Sequence, residues 1–444
     1  MTNQPIIIPR AEHPISRADI SVNALKVLYR LRHASYRACL VGGGVRDLLL
    51  GREPKDFDVA TDAHPEEVHK LFRNCRLIGR RFRLAHIQFG EEIVEVATFR
   101  AAQGDAEEEV AAGKIRVSNS GRLLRDNIYG TIEEDAGRRD FTVNALYYDI
   151  ANFAVLDYAG GMADLQAGLI RLIGNPEQRY REDPVRMLRA VRFAAKLGFR
   201  IHPDTEAPLL KLGRLLEDIP PARLFDEVVK LFLGGSAVQT FELLRHYRLF
   251  GHLFPAMERC LSRQQQHFPK TLLIHALANT DTRLAEGKPV TPAFLLAALL
   301  WEPLRESMQR LQAAGTDEHE AMLLAAAEVI EAQLKHTALP RHSSLTMREI
   351  WSLQLRLAVT TGKKPLRLLT HPRLRAAYDF LLLRAEGDPE VAPLAHWWTR
   401  FLEMDEAARK QFLEAAKPKP RRRRRPRGSH RQAAAGGDQL HPAP

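Results

Sequence analysis

Three consecutive glycines, Gly42 to Gly44, separate the apolar segment "ACLV" from the helix-like segment "VRDLLLG". Glycine adopts positive φ at little cost and lets a backbone approach a ligand closely, so the pattern predicts a strand, a tight turn and a helix. Free N–H groups at the start of that helix, with Arg46 in its first turn, are suited to holding a polyphosphate. The segment lacks the Gly-Lys-Ser/Thr of a Walker A loop and the full GxGxxG spacing. A turn kept only for tight strand–helix packing is the alternative.

Two carboxylates follow the glycines in "KDFDVAT". If this segment is a strand, Asp56 and Asp58 share one face of it, because side chains two apart point the same way. Adjacent anions repel each other unless cations lie between them, and paired carboxylates are the usual protein ligands of a two-Mg²⁺ site. Glu95, in the later strand-like segment "IVEVATF", is a candidate third carboxylate, expected to be buried. The alternative is that Asp56 and Asp58 are solvated loop residues.

The hydrophobic pattern is mixed up to about residue 160 and helical almost throughout from residue 183. We therefore predict an α+β protein: a small α/β head with a mixed sheet and helices, followed by an all-α neck and body. A polar stretch at 101–122 is interpreted as a loop within the head. The predicted segments are a catalytic head at 1–160, a helical neck with a nucleotide-binding helix at 161–235, a helical RNA-binding body at 236–410 and a disordered Arg-rich tail at 411–444.

Composition excludes several classes of protein. No apolar run is long enough to span a membrane, and the first residues lack a signal-peptide pattern. Three widely spaced cysteines argue against a disulfide framework or a cysteine zinc site and fit a reducing cytoplasm. The absence of HExxH makes a histidine-built metal hydrolase a poor interpretation.

The net charge of +11 is concentrated at the C-terminus, where residues 417–431 carry nine Lys or Arg and no acid. Proline and like-charge repulsion keep such a segment open, and it binds nucleic-acid phosphates without reading sequence. A solubilising or targeting tail is the alternative. The residues predicted to bind RNA are Arg421, Arg422, Arg423, Arg424, Arg425 and Arg427.

The order and spacing of the motifs resemble those of class II nucleotidyltransferases, the family of bacterial poly(A) polymerases and tRNA CCA-adding enzymes. The resemblance spans roughly residues 15–235 and is carried by "LVGGGVRDLLLGREPKDFDVATDAHPEEV", "EEDAGRRDFTVNALYYD" and "EDPVRMLRAVRFAAKLGF". Within the family, "RNCRLIGRRFRLAHIQFGEEIVEVATFR", "IPPARLFDE" and the arginine-rich C-terminus resemble the poly(A) polymerase branch.

The resemblance implies roles for individual residues. Asp56 and Asp58 would bind two Mg²⁺ ions, Glu95 would lie near the primer 3′ end, and Asp140 would belong to the catalytic set. Asp and Arg together can pair with a base edge, whereas further guanidinium groups can hold phosphate. Asp183 followed by Pro184 is alternatively an N-cap with proline in the first helical turn. The residues implied to bind the nucleotide are Gly42, Gly43, Arg46, Arg139, Asp183, Arg186, Arg189 and Arg192.

The implied activity is template-independent addition of AMP from ATP to RNA 3′ ends by a cytoplasmic monomer, which would mark RNA for the decay machinery. A tRNA CCA-adding enzyme shares the head chemistry and is the nearest alternative. A catalytically inactive RNA-binding adaptor is a further one, although Asp56, Asp58, Glu95 and Asp140 are all present. In the body, residues 362–386 are either a basic RNA-binding surface or a salt-bridged, solvated helix.

Overall fold

The computed structural model describes residues 4–79, 83–101, 115–117, 123–126, 128–263 and 272–415. The arginines predicted to bind RNA, from Arg421 to Arg427, and part of the predicted loop at 101–122 lie outside these ranges.

A mixed eight-stranded sheet forms the centre of the head in the described residues, in the order β1-β10-β9-β2-β3-β6-β5-β4. The pairing of β3 with β6 is parallel and brings Asp58 opposite Glu95, whereas β2 pairs antiparallel with β3 and brings Val41 opposite Asp58. The ends of β2, β3 and β6 that carry the predicted site therefore lie side by side. The strands of this sheet are β1 (Ile6–Ile8), β2 (Ala38–Val41), β3 (Asp58–Thr61), β4 (Cys75–Ile78), β5 (Leu84–Phe89), β6 (Glu92–Thr98), β9 (Leu146–Asp149) and β10 (Val155–Asp157).

Helices cover the sheet. The first, α1 (Val22–His33), is capped by the hydroxyl of Ser21 and buries Ala24, Val27, Leu28 and Leu31, an apolar stripe at helical spacing. The third begins with a proline after His64, a residue that is favourable at the first helical position. The helices of the head are α1, α2 (Gly43–Leu49), α3 (Pro65–Leu71), α4 (Ile132–Arg138) and α5 (Gly161–Ala167).

Within the predicted 101–122 loop, residues 115–117 form strand β7, which pairs antiparallel with β8 (Leu123–Asp126). The loop interpretation is wrong at these three residues, because the alternation of Ile115, Arg116 and Val117 is too short to stand out from the polar sequence before it. A second small pair, β11 (Leu169–Ile170) and β12 (Arg200–Ile201), is parallel and lies at the start of the helical region.

The chain beyond the head is helical, as predicted. Its apolar core is continuous with that of the head, and a separate C-terminal cluster packs around Trp398 and Phe401. The last described helix continues to Ala415, so the predicted tail boundary at residue 411 falls inside a helix. These helices are α6 (Pro176–Glu182), α7 (Val185–Leu197), α8 (Pro203–Glu206), α9 (Leu209–Leu212), α10 (Pro221–Phe232), α11 (Ala237–His246), α12 (Phe250–Leu253), α13 (Pro255–Arg263), α14 (Leu272–Ala285), α15 (Pro292–Leu299), α16 (Trp301–Ala313), α17 (Glu318–Leu334), α18 (Arg341–Leu357), α19 (Lys364–Leu368), α20 (Leu374–Gly387), α21 (Ala392–Glu403) and α22 (Glu406–Ala415).

The predicted α+β fold is therefore confirmed. Within the described ranges, no helix combines the length and the apolar character needed to cross a bilayer. The cysteines Cys39, Cys75 and Cys260 are buried and free.

Candidate active site

The glycine run forms the predicted turn between β2 and α2. Gly42 is the N-cap of α2 and has a φ of +78°, a backbone conformation that residues with a side chain adopt only with strain. A Cβ on Gly42 would stand 3.8 Å from Asp58 Oδ2, and one on Gly44 would stand 3.2 Å from the carbonyl oxygen of Asp56. The turn therefore lies directly against the two aspartates, and Gly44 sets how closely the two segments approach.

Asp56 and Asp58 do meet, although not through strand alternation. Strand β3 begins only at Asp58, so Asp56 belongs to the turn before it. Asp56 is exposed and Asp58 is half-buried, and both line one cleft. The site therefore combines one carboxylate from a loop with one from the end of a strand.

Asp58 lies where negative charge is poorly compensated. The pKa of its carboxyl group is raised to about 6: burial is the largest cause, the nearby carboxylates Glu95 and Asp56 add to it, and Arg139 opposes it. A carboxyl group with these surroundings favours a bound proton or a bound cation. Asp56 and Asp58 thus fit the oxygen ligands that Mg²⁺ prefers.

Glu95 differs from the sequence-based expectation. Its side chain is 45% exposed rather than buried, and it lies 3.0 Å from Nε2 of His86 on the neighbouring strand. Among the described residues, no group of three His, Cys, Asp or Glu side chains converges to hold a metal ion. Mg²⁺ commonly takes one or two carboxylates and completes its shell with water and substrate phosphate, so Asp56 and Asp58 would be enough protein ligands for it.

Arg139 faces the same point from the other side of the turn. Its Nη1 lies 3.7 Å from where a Cβ on Gly42 would be, and its Nε donates to the hydroxyl of Tyr147 at 2.8 Å. Asp135 accepts from Arg139 Nη2 at 3.1 Å and from the Tyr147 hydroxyl at 2.6 Å. Asp135 and Tyr147 therefore fix the guanidinium group, which stays directed towards Gly42 and Asp58.

Asp140 lies in a hydrogen-bonded chain that links the neck to the glycine helix. Its Oδ2 accepts from Nε of Arg189 at 2.7 Å, and its Oδ1 accepts from Nδ2 of Asn144 at 3.2 Å. The amide oxygen of Asn144 in turn accepts from Nη1 of Arg46 at 2.6 Å, and Arg46 also donates to Asp47. Burial raises the pKa of Asp140, but the charge and hydrogen bonds of Arg189, together with the hydrogen bonds from Phe141 and Asn144, outweigh it, and the pKa is lowered. These contacts place Asp140 as the anionic centre that holds Arg189.

Asp183 and Arg186 lie at the beginning of α7. Asp183 Oδ1 accepts from the backbone N–H of Val185, the first residue of α7, at 3.3 Å, whereas the N-cap position of α7 is taken by Pro184 and not by Asp183. Its Oδ2 also accepts from Nη2 of Arg223, at 2.7 Å. Arg186 donates to the backbone oxygen of Arg179 and to Glu182. Base recognition by Asp183 and Arg186 stays a prediction.

A cleft of about 500 Å³ lies between the head and the neck, and residues of both line it. Its acidic side consists of Asp47, Asp56 and Asp58, beside Gly43, Gly44 and Arg46. Its other polar residues include Lys55, Arg192, Lys196, Lys230, Ser236 and Thr240.

Sequence reasoning missed several residues around this cleft. Lys196 follows Arg192 by four residues on α7, so helical spacing extends the arginine row to it. Asp135 precedes Arg139 by four residues, which is a second recognisable signal. Lys230 and Arg223 come from α10, and no local pattern connects them with the aspartates.

The arginines of the body surface at 362–386 are largely paired. Arg373 lies 3.1 Å from Glu349 and Arg375 lies 3.0 Å from Asp379. Arg384 is buried against Trp301 and donates to Gln354. The salt-bridged helix therefore describes this segment better than an open basic surface.

Similarity to known proteins covers nearly the whole chain. Three family models match: "Poly A polymerase head domain" at residues 38–171, "Probable RNA and SrmB- binding site of polymerase A" at 198–261 and "Polymerase A arginine-rich C-terminus" at 314–432. The chain is 53% identical to poly(A) polymerase I of Escherichia coli O157:H7 over 96% of its own length and 92% of that protein. The chain belongs to the poly(A) polymerase I family.

The poly(A) polymerase I family is an enzyme family, and its relation to CCA-adding enzymes is more distant. The CCA-adding enzyme of Bacillus subtilis (strain 168) is 36% identical over 53% of this chain and 56% of its own. A structure of the Bacillus stearothermophilus CCA-adding enzyme in complex with CTP aligns with a TM-score of 0.52 at 25% identity, covering 89% of this chain and 88% of that one. The two groups therefore share the nucleotidyltransferase fold, whereas the extended sequence match is to poly(A) polymerase I.

Proposed function

We propose that this chain is a polynucleotide adenylyltransferase that transfers AMP from ATP to RNA 3′ ends without a template. One observation of the structure carries the proposal: Asp56 and Asp58 open onto the same cleft as a set of lysine and arginine side chains. Carboxylates can hold the cations that accompany a nucleoside triphosphate, and the basic groups match the negative charge of its phosphates.

The reaction joins the 3′-oxygen of the RNA to the α-phosphorus of ATP. The bond between the α-phosphorus and the bridging oxygen of pyrophosphate breaks, and the hydroxyl proton passes to solvent. Two Mg²⁺ ions held by Asp56 and Asp58 would supply activation of the hydroxyl and neutralisation of the leaving oxygens.

The chain's own residues position the reactants. Gly42 brings the backbone of the turn against Asp58, and Arg139 presents a guanidinium group fixed by Asp135 and Tyr147 to the same point. Arg46 is held by Asn144 and Asp47 beside the turn. Because these groups are already oriented, charge that develops on the reacting phosphate meets donors that need little reorganisation.

Other roles follow from this function. We propose that residues 1–160 catalyse the reaction and that residues 161–235 contact the nucleotide. Residues 236–410 and the arginines at 421–427 would bind the RNA. The substrate class is RNA with a free 3′-hydroxyl, and the extended ends are passed to RNA-decay machinery. Free, buried Cys39, Cys75 and Cys260 fit a reducing compartment, and we propose that the protein acts in the cytoplasm as a monomer.

The decisive experiment incubates the protein with one RNA and each nucleoside triphosphate separately, with Mg²⁺ or with EDTA. Long products with ATP alone, dependent on Mg²⁺, are expected. Asp58→Asn should abolish extension, whereas Asp204→Asn, the same change at an exposed carboxylate outside the cleft, should not.

Addition of only two C residues and one A to a tRNA acceptor would instead identify a CCA-adding enzyme. RNA binding without Mg²⁺-dependent incorporation of labelled AMP would identify an adaptor. Both results contradict the proposal, and each points to a named alternative.

A further inference from the structure

A second cavity, of about 470 Å³, lies in the helical body between α14 and α20 and shares no residue with the cleft of Asp56 and Asp58. Cavities of roughly 300–1,000 Å³ accommodate small organic ligands. Three helices, α14, α15 and α20, contribute an apolar wall to it, which consists of Ala276, Phe294, Ala376, Leu382 and Leu383. The body therefore contains a cavity large enough for a ligand and built independently of the head.

Phe294 gives this wall an aromatic ring that the protein does not fully enclose. The residue packs against the core but is only partly buried. Its ring lies nearly perpendicular to that of Phe380, with the ring centres 5.9 Å apart. An aromatic side chain in such a position can stack with a nucleobase, because every base has a π-face. The wall is therefore suited to a flat ring.

Asn279 gives the same cavity a polar group without a partner. The residue is half-buried, and its side-chain amide makes no hydrogen bond to any other residue that the structure describes. Its neighbour Thr280 differs, because that hydroxyl donates to the backbone oxygen of Ala276 at 2.7 Å. A carboxamide offers a donor and an acceptor side by side, which is the pattern that pairs with N7 and the N6 amino group of adenine.

Arg283 is the one arginine of the cavity that has no carboxylate partner within the described part of the chain. Its Nη2 donates to the backbone oxygen of Pro289 at 3.2 Å. The other two arginines of the cavity, Arg373 and Arg375, each pair with a carboxylate. A guanidinium group that is bonded only to a carbonyl keeps its charge available for an anion, and one such group matches one phosphate.

We propose that this cavity binds one adenylate residue of the RNA, upstream of the 3′ end that reacts. The base packs against Phe294 and the apolar wall, Asn279 pairs with the N6 amino group and N7, and Arg283 holds the neighbouring phosphate. This role rests on the function proposed above, since an enzyme that adds A residues produces the sequence that the cavity recognises. An RNA that already carries A residues is therefore bound more tightly than one that does not.

The test compares the affinity of the full chain for oligoadenylate and for oligocytidylate of equal length, both ending in a 3′-deoxynucleotide, by fluorescence anisotropy in EDTA. Asn279→Leu removes the carboxamide and nearly keeps the volume. It should weaken oligoadenylate binding about tenfold, the effect of one lost side chain–base pair, and leave oligocytidylate binding unchanged. Arg283→Met should weaken both to the same extent, because a phosphate contact does not distinguish bases.

Gln312→Leu, which removes an exposed carboxamide on α16 outside the cavity, is the matched control and should bind both oligonucleotides as the unmodified protein does. Thermal unfolding checks that each variant is folded. Equal losses for the two oligonucleotides in Asn279→Leu, or no loss for either, overturn the proposal. A loss of affinity for free AMP with oligoadenylate affinity intact also overturns it, because the cavity would then hold a free nucleotide.

Incorporation of labelled AMP is measured separately, so that the two proposals can fail independently. Oligoadenylate binding that depends on Asn279, in a protein that incorporates no AMP, would leave the role of the cavity standing and refute the adenylyltransferase function. Incorporation of AMP by a protein whose oligoadenylate affinity is unaffected by Asn279→Leu would do the reverse.

Discussion

Asp58 and Glu95 occupy paired positions on the parallel strands β3 and β6, and together with Asp56 they concentrate negative charge at one end of the sheet. The strands of this sheet hold the two carboxyl groups near each other whether or not a cation is bound. The repulsion between these carboxylates therefore lowers the free energy of unfolding of the metal-free head.

Asp58→Asn should stabilise the metal-free protein near neutral pH. The pKa of Asp58 is raised to about 6 by burial and then by Glu95, so ionisation opposes folding above that pH. The gain in the free energy of unfolding should be about 1–3 kcal/mol at pH 7.5 in EDTA. As the pH falls from 6 towards 4, folded Asp58 takes up its proton before the unfolded chain does, so wild-type stability rises and the gain disappears. Urea unfolding at a series of pH values measures this.

Mg²⁺ provides the control for that prediction. It should raise the urea midpoint of the wild-type protein at pH 7.5, because binding to the folded state stabilises it, and should have a much smaller effect on Asp58→Asn. An equal effect on both proteins would show that Asp58 is not a metal ligand.

Tyr147→Phe should disorder Arg139 without unfolding the head. The variant removes the hydroxyl that bonds both Arg139 and Asp135, and it leaves the Arg139–Asp135 ion pair in place. We expect kcat/KM for ATP to fall about tenfold and the free energy of unfolding to fall by about 1–2 kcal/mol. Tyr247→Phe, which removes a buried hydroxyl bonded to Glu206 away from the cleft, should lose similar stability and keep its activity. Equal activity of the two variants would show that Tyr147 does not position Arg139 for catalysis.

Asp183→Asn separates the hydrogen bond to Val185 from nucleotide recognition. Asparagine can still accept from the backbone N–H of Val185, but it removes the charge that pairs with Arg223. The apparent KM for ATP should rise, and discrimination against CTP and GTP should weaken by a factor of about ten, in line with 1–3 kcal/mol for a side chain–base pair. If the folded variant kept its full preference for ATP, Asp183 would not be the residue that recognises the base. Arg223→Ala, which removes the partner, tests whether the ion pair itself is required.

Deletion from residue 417 onward should change RNA affinity and leave the chemistry intact. The segment 417–431 carries nine positive charges, and each phosphate that it neutralises contributes roughly −0.7 to the slope of log affinity against log salt for single strands. The truncated protein should bind RNA more weakly at low salt with a shallower slope, whereas the rate at saturating RNA and the preference for ATP stay constant. An unchanged slope would assign the whole grip on RNA to the helical body.

The glycine turn and the two aspartates could be predicted from sequence because each depends on neighbours within a few residues. The positive φ of Gly42 and the proximity of Asp56 to Gly44 follow from such local patterns. The exposure of Glu95 could not be predicted, because it depends on His86 in the strand beside it.

The partners of Asp140 and Asp183 were also beyond sequence reasoning. Arg189 and Arg223 reach them from distant segments of the chain, so only the packing of α7 and α10 shows which charges are already paired. The same packing separates the paired arginines of α7 from Arg192, whose Nε has no partner in the described residues.

The two sides of the cleft come from different parts of the chain, and their order affects how the cleft forms while the protein is being translated. The turn and the aspartates come from β2, α2 and β3, which are adjacent in sequence and meet through short-range contacts. The opposing cations come from α7 and α10, much later in the chain. Because domains fold as they emerge from the ribosome and local contacts form first, the anionic half of the cleft can take shape well before its cationic half exists. A nascent chain at that stage would lack the cations of the neck, so the cleft would be complete for a nucleoside triphosphate only after α10 has been made.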